Sequence, residues 1–101
     1  MSTLGEVAAK VRSKNAGPFW VTVDIFCDND LSYRAVCEGL STRAVARALG
    51  VPEQGIKRFQ IDDLQVVKLS LPRPAIQGTP ADRDMHGAAL GALLAEMTLE
   101  G

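Results

Sequence analysis

Between residues 19 and 27 the side chains alternate with a period of two. Phe19, Val21, Val23, Ile25 and Cys27 fall on one side, and Trp20, Thr22, Asp24 and Phe26 on the other. This spacing, with its aromatic and β-branched content, predicts a strand that ends at the Asp28-Asn29-Asp30 turn. Residues 56–61 and 64–71 read as two further strands joined through Asp62-Asp63, and Pro72-Arg73-Pro74 closes the second because proline cannot donate to a strand ladder. Between them the pattern turns helical. Asp28 or Asp30 can cap a helix that reaches Glu38 and stops at Gly39. Ser41 or Thr42 can start a second helix with Val45, Ala46, Ala48 and Leu49 as its apolar positions, ended by Gly50 and then Pro52. The two form one bent helical unit. Residues 75–83 read as a loop, Asp84 as the cap of a last helix to about Ala95, and Met97 and Leu99 alternate with Thr98 and Glu100 as in a short final strand.

The N-terminal stretch supports two readings. Leu4, Val7, Ala8 and Val11 have helical spacing, with Thr3 and Glu6 set as in a capping box. Gly5, Val7, Ala9 and Val11 also alternate with Glu6, Lys10 and Arg12, and the polar loop at 13–18 can join such a strand to the next. The strand is preferred for residues 4–12. From Phe19 onward the order is then strand, helix, strand, strand, helix, strand. That is a ferredoxin-like split βαβ of the α+β class, an antiparallel sheet with helices on one face, to which residues 4–12 would add an N-terminal edge strand.

Length and composition limit what such a fold can do. A chain of 101 residues, 47% of them hydrophobic, has room for one domain with one core. Its 11 Lys and Arg nearly cancel its 12 Asp and Glu, so there is no basic excess to neutralise phosphates, and a nucleic-acid partner is not expected. No apolar run reaches the ~20 residues that span a bilayer. The Met1 to Glu6 start lacks the basic and apolar regions of a signal peptide, so no membrane association and a cytoplasmic location are expected. Cys27 and Cys37 have no metal or redox spacing and read as buried free thiols; no metal and no cofactor are expected.

The densest polar cluster is Arg12-Ser13-Lys14-Asn15-Ala16-Gly17. Two cations, a hydroxyl, an amide and a turn glycine can grip a carboxylate or phosphate, and the same residues can equally form a solvated hairpin end. Asp24 interrupts an apolar strand and needs a partner when buried, for which Arg12 or Lys14 across a hairpin would serve. It is either a structural ion pair or the wall of a site. Arg73 is held stiffly between two prolines, which suits an anion or a protein contact. Asp82, Arg83, Asp84 and His86 form a second polar cluster, in which a lone histidine is a weak catalytic signal. No Ser-His-Asp order, metal-spaced set or nucleophile elbow can be assembled, so no catalytic residue is assigned.

Leu4-Gly5-Glu6-Val7-Ala8, the run from Arg12 to Pro18, Leu71-Pro72-Arg73-Pro74 and the Asp84-x-x-Gly87 pattern together resemble a small bacterial family. It is the one called domain of unknown function 4387, within the AtuA-like ferredoxin-fold group. The larger AtuA proteins, named for acyclic terpene utilisation, carry a similar module with an Arg-Ser-Gly-Asp-Lys-Gly loop. This chain keeps Arg12, Ser13 and Gly17 of that loop, while Lys14 and Asn15 depart from its order. The resemblance implies a ferredoxin-like fold and an accessory subunit of a large AtuA-like enzyme that handles terpenoid, acyl-CoA or hydroxy-acid compounds. Such a subunit would contribute Arg12, Lys14 and Arg73 to a shared anionic-substrate site. Two other readings stand beside it. One is a stand-alone enzyme acting on a carboxylate or acyl-CoA, with Asp24 or His86 as acid/base. The other is a binding or regulatory module that self-associates through its sheet edges, as a homo-oligomer when isolated.

Overall fold

The computed structural model describes residues 2–17, 19–72, 91 and 93–100. Its centre is a four-stranded, wholly antiparallel sheet of β1 (Lys10–Asn15), β2 (Trp20–Phe26), β3 (Lys57–Ile61) and β4 (Val66–Pro72), in the order β1-β2-β4-β3. A short helix α1 (Leu4–Val7) precedes it, and α2 (Asp30–Gly39) and α3 (Thr42–Leu49) lie between β2 and β3. The α+β, ferredoxin-like class holds, with the N-terminal strand at the sheet edge.

Alternation along the two central strands decides which face is covered. Val21, Val23 and Ile25 of β2 lie opposite Leu71, Leu69 and Val67 of β4, and all six are 0–1% exposed. They form one cluster with Val36 and Leu40 at α2, with Val45 and Leu49 of α3, and with Leu4, Leu94 and Leu99. Among the described residues, every helix packs on this face.

The caps follow side-chain chemistry. Asn29, rather than Asp28 or Asp30, opens α2: its Oδ1 accepts from the Ser32 N–H at 2.8 Å. Ser41 opens α3 by accepting from Ala44 N–H at 3.0 Å, and Gly50 ends it in the left-handed region at φ +68°. Arg58 of β3 points to the covered side, where Nη2 donates to the Cys37 carbonyl at 2.9 Å and Nη1 donates to that of Leu40. A guanidinium there meets carbonyls that α2 leaves unpaired and the negative end of its dipole.

Two expectations are corrected. The preferred strand over 4–12 divides into α1 and the start of β1, because Thr3 and Glu6 complete a reciprocal capping box, with Thr3 N–H donating to Glu6 Oε1 at 2.8 Å and Glu6 N–H to Thr3 Oγ1 at 3.2 Å. The Thr3 backbone N–H first, and the Thr3 hydroxyl next, hold the Glu6 carboxyl below its usual range. The strand then continues to Asn15, past the start of the loop expected at 13–18, and turns back where the Ala16 N–H donates to the Trp20 carbonyl at 2.8 Å. The short final strand does not join the sheet. Residues 97–99 instead bond the N-terminus: Thr98 bridges Thr3, Leu4 N–H donates to Met97 O at 2.7 Å and Leu99 N–H to Ser2 O at 2.8 Å, while Glu100 N–H donates to Gly39 O at 2.9 Å. The place beside β2 belongs to β1, whose six-residue ladder is closed by a short loop, and short-loop closure costs little entropy. Of the last helix, residues 91 and 93–95 are described as helical, with Leu94 fully buried; the loop expected at 75–83 and the first turns of that helix lie outside the described residues.

Candidate functional site

The other face of the sheet is defined by the same register. Lys10, Phe26, Val66 and Ile61 make one cross-strand row; Arg12, Asp24, Lys68 and Phe59 make the next; Lys14, Thr22, Ser70 and Lys57 the third; Trp20 pairs with Pro72 beyond them. Among the described residues no helix covers this face. Trp20 is 40% exposed and Phe59 49%. Val66 is buried but stands outside the main core cluster. It lies between Phe26 and Ile61, so this side has a small apolar centre of its own.

The period of two divides the Arg12–Gly17 run. Arg12 and Lys14 are exposed on the open face, whereas Ser13 and Asn15 belong to the covered side. Ser13 Oγ accepts a 2.6 Å hydrogen bond from the Gly91 N–H. A Cβ on Gly91 would lie 2.9 Å from that oxygen, so this approach needs a glycine. Ser13 thus ties the outer strand to the C-terminal helix. Gly17, at φ +81°, makes the hairpin turn. Asp24 lies in register between Arg12 and Lys68. The expected ion pair is a cross-strand neighbour relation rather than a closed bridge, since the ion pair within 4 Å among the described residues is Arg43–Glu53 at 3.7 Å. Arg73, Asp84 and His86 lie outside the described residues.

A further polar cluster, between α2 and β3, was not foreseen. Asp30, Tyr33, Arg34, Cys37, Gln60 and Asp62 line an open cleft of about 370 Å³ between α2 and β3. Tyr33 is 6% exposed and its hydroxyl donates to Asp62 Oδ1 at 2.6 Å. Burial, then that bond, then Cys37 push its ionisation well above the usual phenol range. Residues 30, 33, 34 and 37 share one helix face at three- and four-residue spacing, a signal readable in the sequence; their meeting with Gln60 and Asp62 needed the fold. Both cysteines are free and half-buried, less enclosed than expected. Burial, ahead of Cys37 and Asp28, raises the Cys27 thiol, which favours its protonated form.

Residues 4–98 match the family model described as Domain of unknown function (DUF4387). The chain belongs to that family. No curated protein and no solved structure matches it. Among the described residues of this DUF4387 protein, no helix is long and apolar enough to cross a membrane, and no group of three or more His, Cys, Asp or Glu is placed to hold a metal ion.

Proposed function

We propose that this DUF4387 chain is an accessory subunit that docks on a larger AtuA-like enzyme acting on terpenoid, acyl-CoA or hydroxy-acid compounds. The supporting observation is the one-sided sheet. Helices bury one face, while the other presents Trp20, Phe59 and Ile61 at 36–49% exposure. Large apolar side chains left uncovered on one face, Phe59 and Ile61 beside Val66 and Trp20 at the far end with polar residues between, are the mark of a protein-contact surface. The chemistry of the large enzyme then belongs to the larger chain, and this subunit completes or steadies it.

Co-purification of the tagged chain from its native host under gentle conditions, with mass spectrometry of what accompanies it, tests the reading. A stoichiometric AtuA-like chain is the expected result; recovery of this chain alone contradicts it. A second reading, self-association through a sheet edge, is favoured by outer strand β3, whose Lys57, Phe59, Gln60 and Ile61 are all exposed. It predicts a mass above the monomer in sedimentation of the isolated chain at all but the lowest concentrations.

A further inference from the structure

The whole chain is nearly neutral, yet its charge is not evenly spread. The open sheet face carries Lys10, Arg12, Lys14, Lys57 and Lys68 against one carboxylate, Asp24. Lys10, Arg12 and Lys14 stand along one edge strand and Lys57 on the opposite one. Between these borders the central strands supply Phe26 and Val66 at one end, Trp20 and Pro72 at the other, and Asp24, Lys68, Thr22 and Ser70 between them. Acidic side chains gather elsewhere: Asp30 and Glu38 on α2, Asp62 and Asp63 in the β3–β4 turn, Glu96 and Glu100 near the C-terminus.

We infer that the open sheet face is the docking surface of this subunit and that its occupant is a carboxylate-rimmed apolar patch on a larger protein chain. The inference rests on the accessory-subunit reading and adds to it the surface and the partner's chemistry. Charge complementarity selects the occupant. A second copy stacked face to face would set Lys and Arg against Lys and Arg, and like-charge juxtaposition across an interface strongly disfavours the pairing. A nucleic-acid strand would be drawn by the cations and aromatics, but it would have to lay phosphates over Asp24 in the middle of the face and leave the Phe26–Val66–Ile61 row without an apolar partner. A protein surface meets both features: its apolar side chains cover the Phe26–Val66–Ile61 row at one end of the face, its carboxylates meet the Lys and Arg of the outer strands, and it need bring no negative charge over Asp24, which lies between Arg12 and Lys68.

The test is calorimetric titration of this chain into the purified AtuA-like chain, at low and high salt. Lys14→Glu with Lys57→Glu reverses charge at the two ends of the row whose middle residues are the neutral Thr22 and Ser70. Arg43→Glu with Arg47→Glu on α3 is the control on the covered side. Lys14→Ala with Lys57→Ala is a milder pair that keeps the inference testable should charge reversal impair folding. The expected result is wild-type binding that weakens by about tenfold or more in the reversed pair, by less in the alanine pair, and within about twofold in the control, with marked loss at high salt. Equal affinity of all four chains overturns the inference while leaving the accessory-subunit reading intact. No binding by the wild-type chain overturns that reading, and the inference with it. Tight binding of a 15-nucleotide single-stranded oligothymidylate, lost in the reversed pair, would overturn the protein occupant in favour of nucleic acid.

Discussion

The two faces of one sheet are made from the same four strands and differ in nearly everything else. On the covered face, Val23, Ile25, Val67 and Leu69 are wholly buried under α2, α3 and the C-terminal helix. On the open face, Thr22, Asp24 and Lys68 are their sequence neighbours, one residue away and facing the other direction, and Phe59 pairs with Lys68. A period-two chain can therefore place its stability on one side and its contacts on the other without mixing the two demands. Substitutions should separate the faces accordingly.

The largest effect is expected in the covered core. Leu69→Ala removes a fully buried side chain and should cost about 2–5 kcal/mol, whereas Phe59→Ala on the open face should stay within about 1 kcal/mol; urea unfolding of the two variants measures both. Equal losses would erase the distinction between the faces. Next comes Arg58→Ala, which leaves the Cys37 and Leu40 carbonyls without their guanidinium donor. A loss of about 1.5–3 kcal/mol is expected by the same measurement, since hydrogen bonds to charged groups carry roughly that much.

A smaller effect, sharper in kind, comes from pH. Tyr33 is the only tyrosine, so tyrosinate absorbance reports it alone. Its folded ionisation is raised by burial first and by the bond to Asp62 next. The neutral phenol's contribution to stability is therefore complete below the unfolded value of about 10 and is lost as pH rises through the folded one. Titration should show no tyrosinate near pH 10 in the folded chain and a normal transition in urea. Asp62→Asn should move the folded transition down. A folded transition at about pH 10 would contradict the described contact.

Much of this was legible in the sequence, and the exceptions have physical causes. Strand β2 could be read because both of its faces obey the alternation, and α3 because Ser41 and Gly50 mark its ends with side-chain and backbone chemistry. The N-terminus could not be decided from periodicity, since Leu4 to Arg12 fits both repeats; the capping box between Thr3 and Glu6 settled it locally. The tail at 97–100 has strand-like alternation, but residues 97–99 find their partners at Ser2, Thr3 and Leu4, almost the whole chain away, and Glu100 finds its own at Gly39. Nothing in the sequence singles out Arg58, because the carbonyls it serves lie 18 and 21 residues distant. As to the candidate site, Arg12, Lys14 and Asp24 were named from the sequence, but their membership of one face with Lys57, Lys68 and the aromatics is a property of strand register. The overall charge balance concealed that segregation.

The central proposal is that the open face is where the chain meets a larger partner, and Trp20, the only tryptophan, stands on that face. Acrylamide quenching of its fluorescence, with and without the AtuA-like chain, tests the claim most directly, provided that the partner's own tryptophans are replaced by phenylalanine. The account predicts that the 40% exposed indole becomes protected in the complex, with its emission shifted to shorter wavelength. A complex that forms while Trp20 is quenched as readily as in the free chain would contradict it.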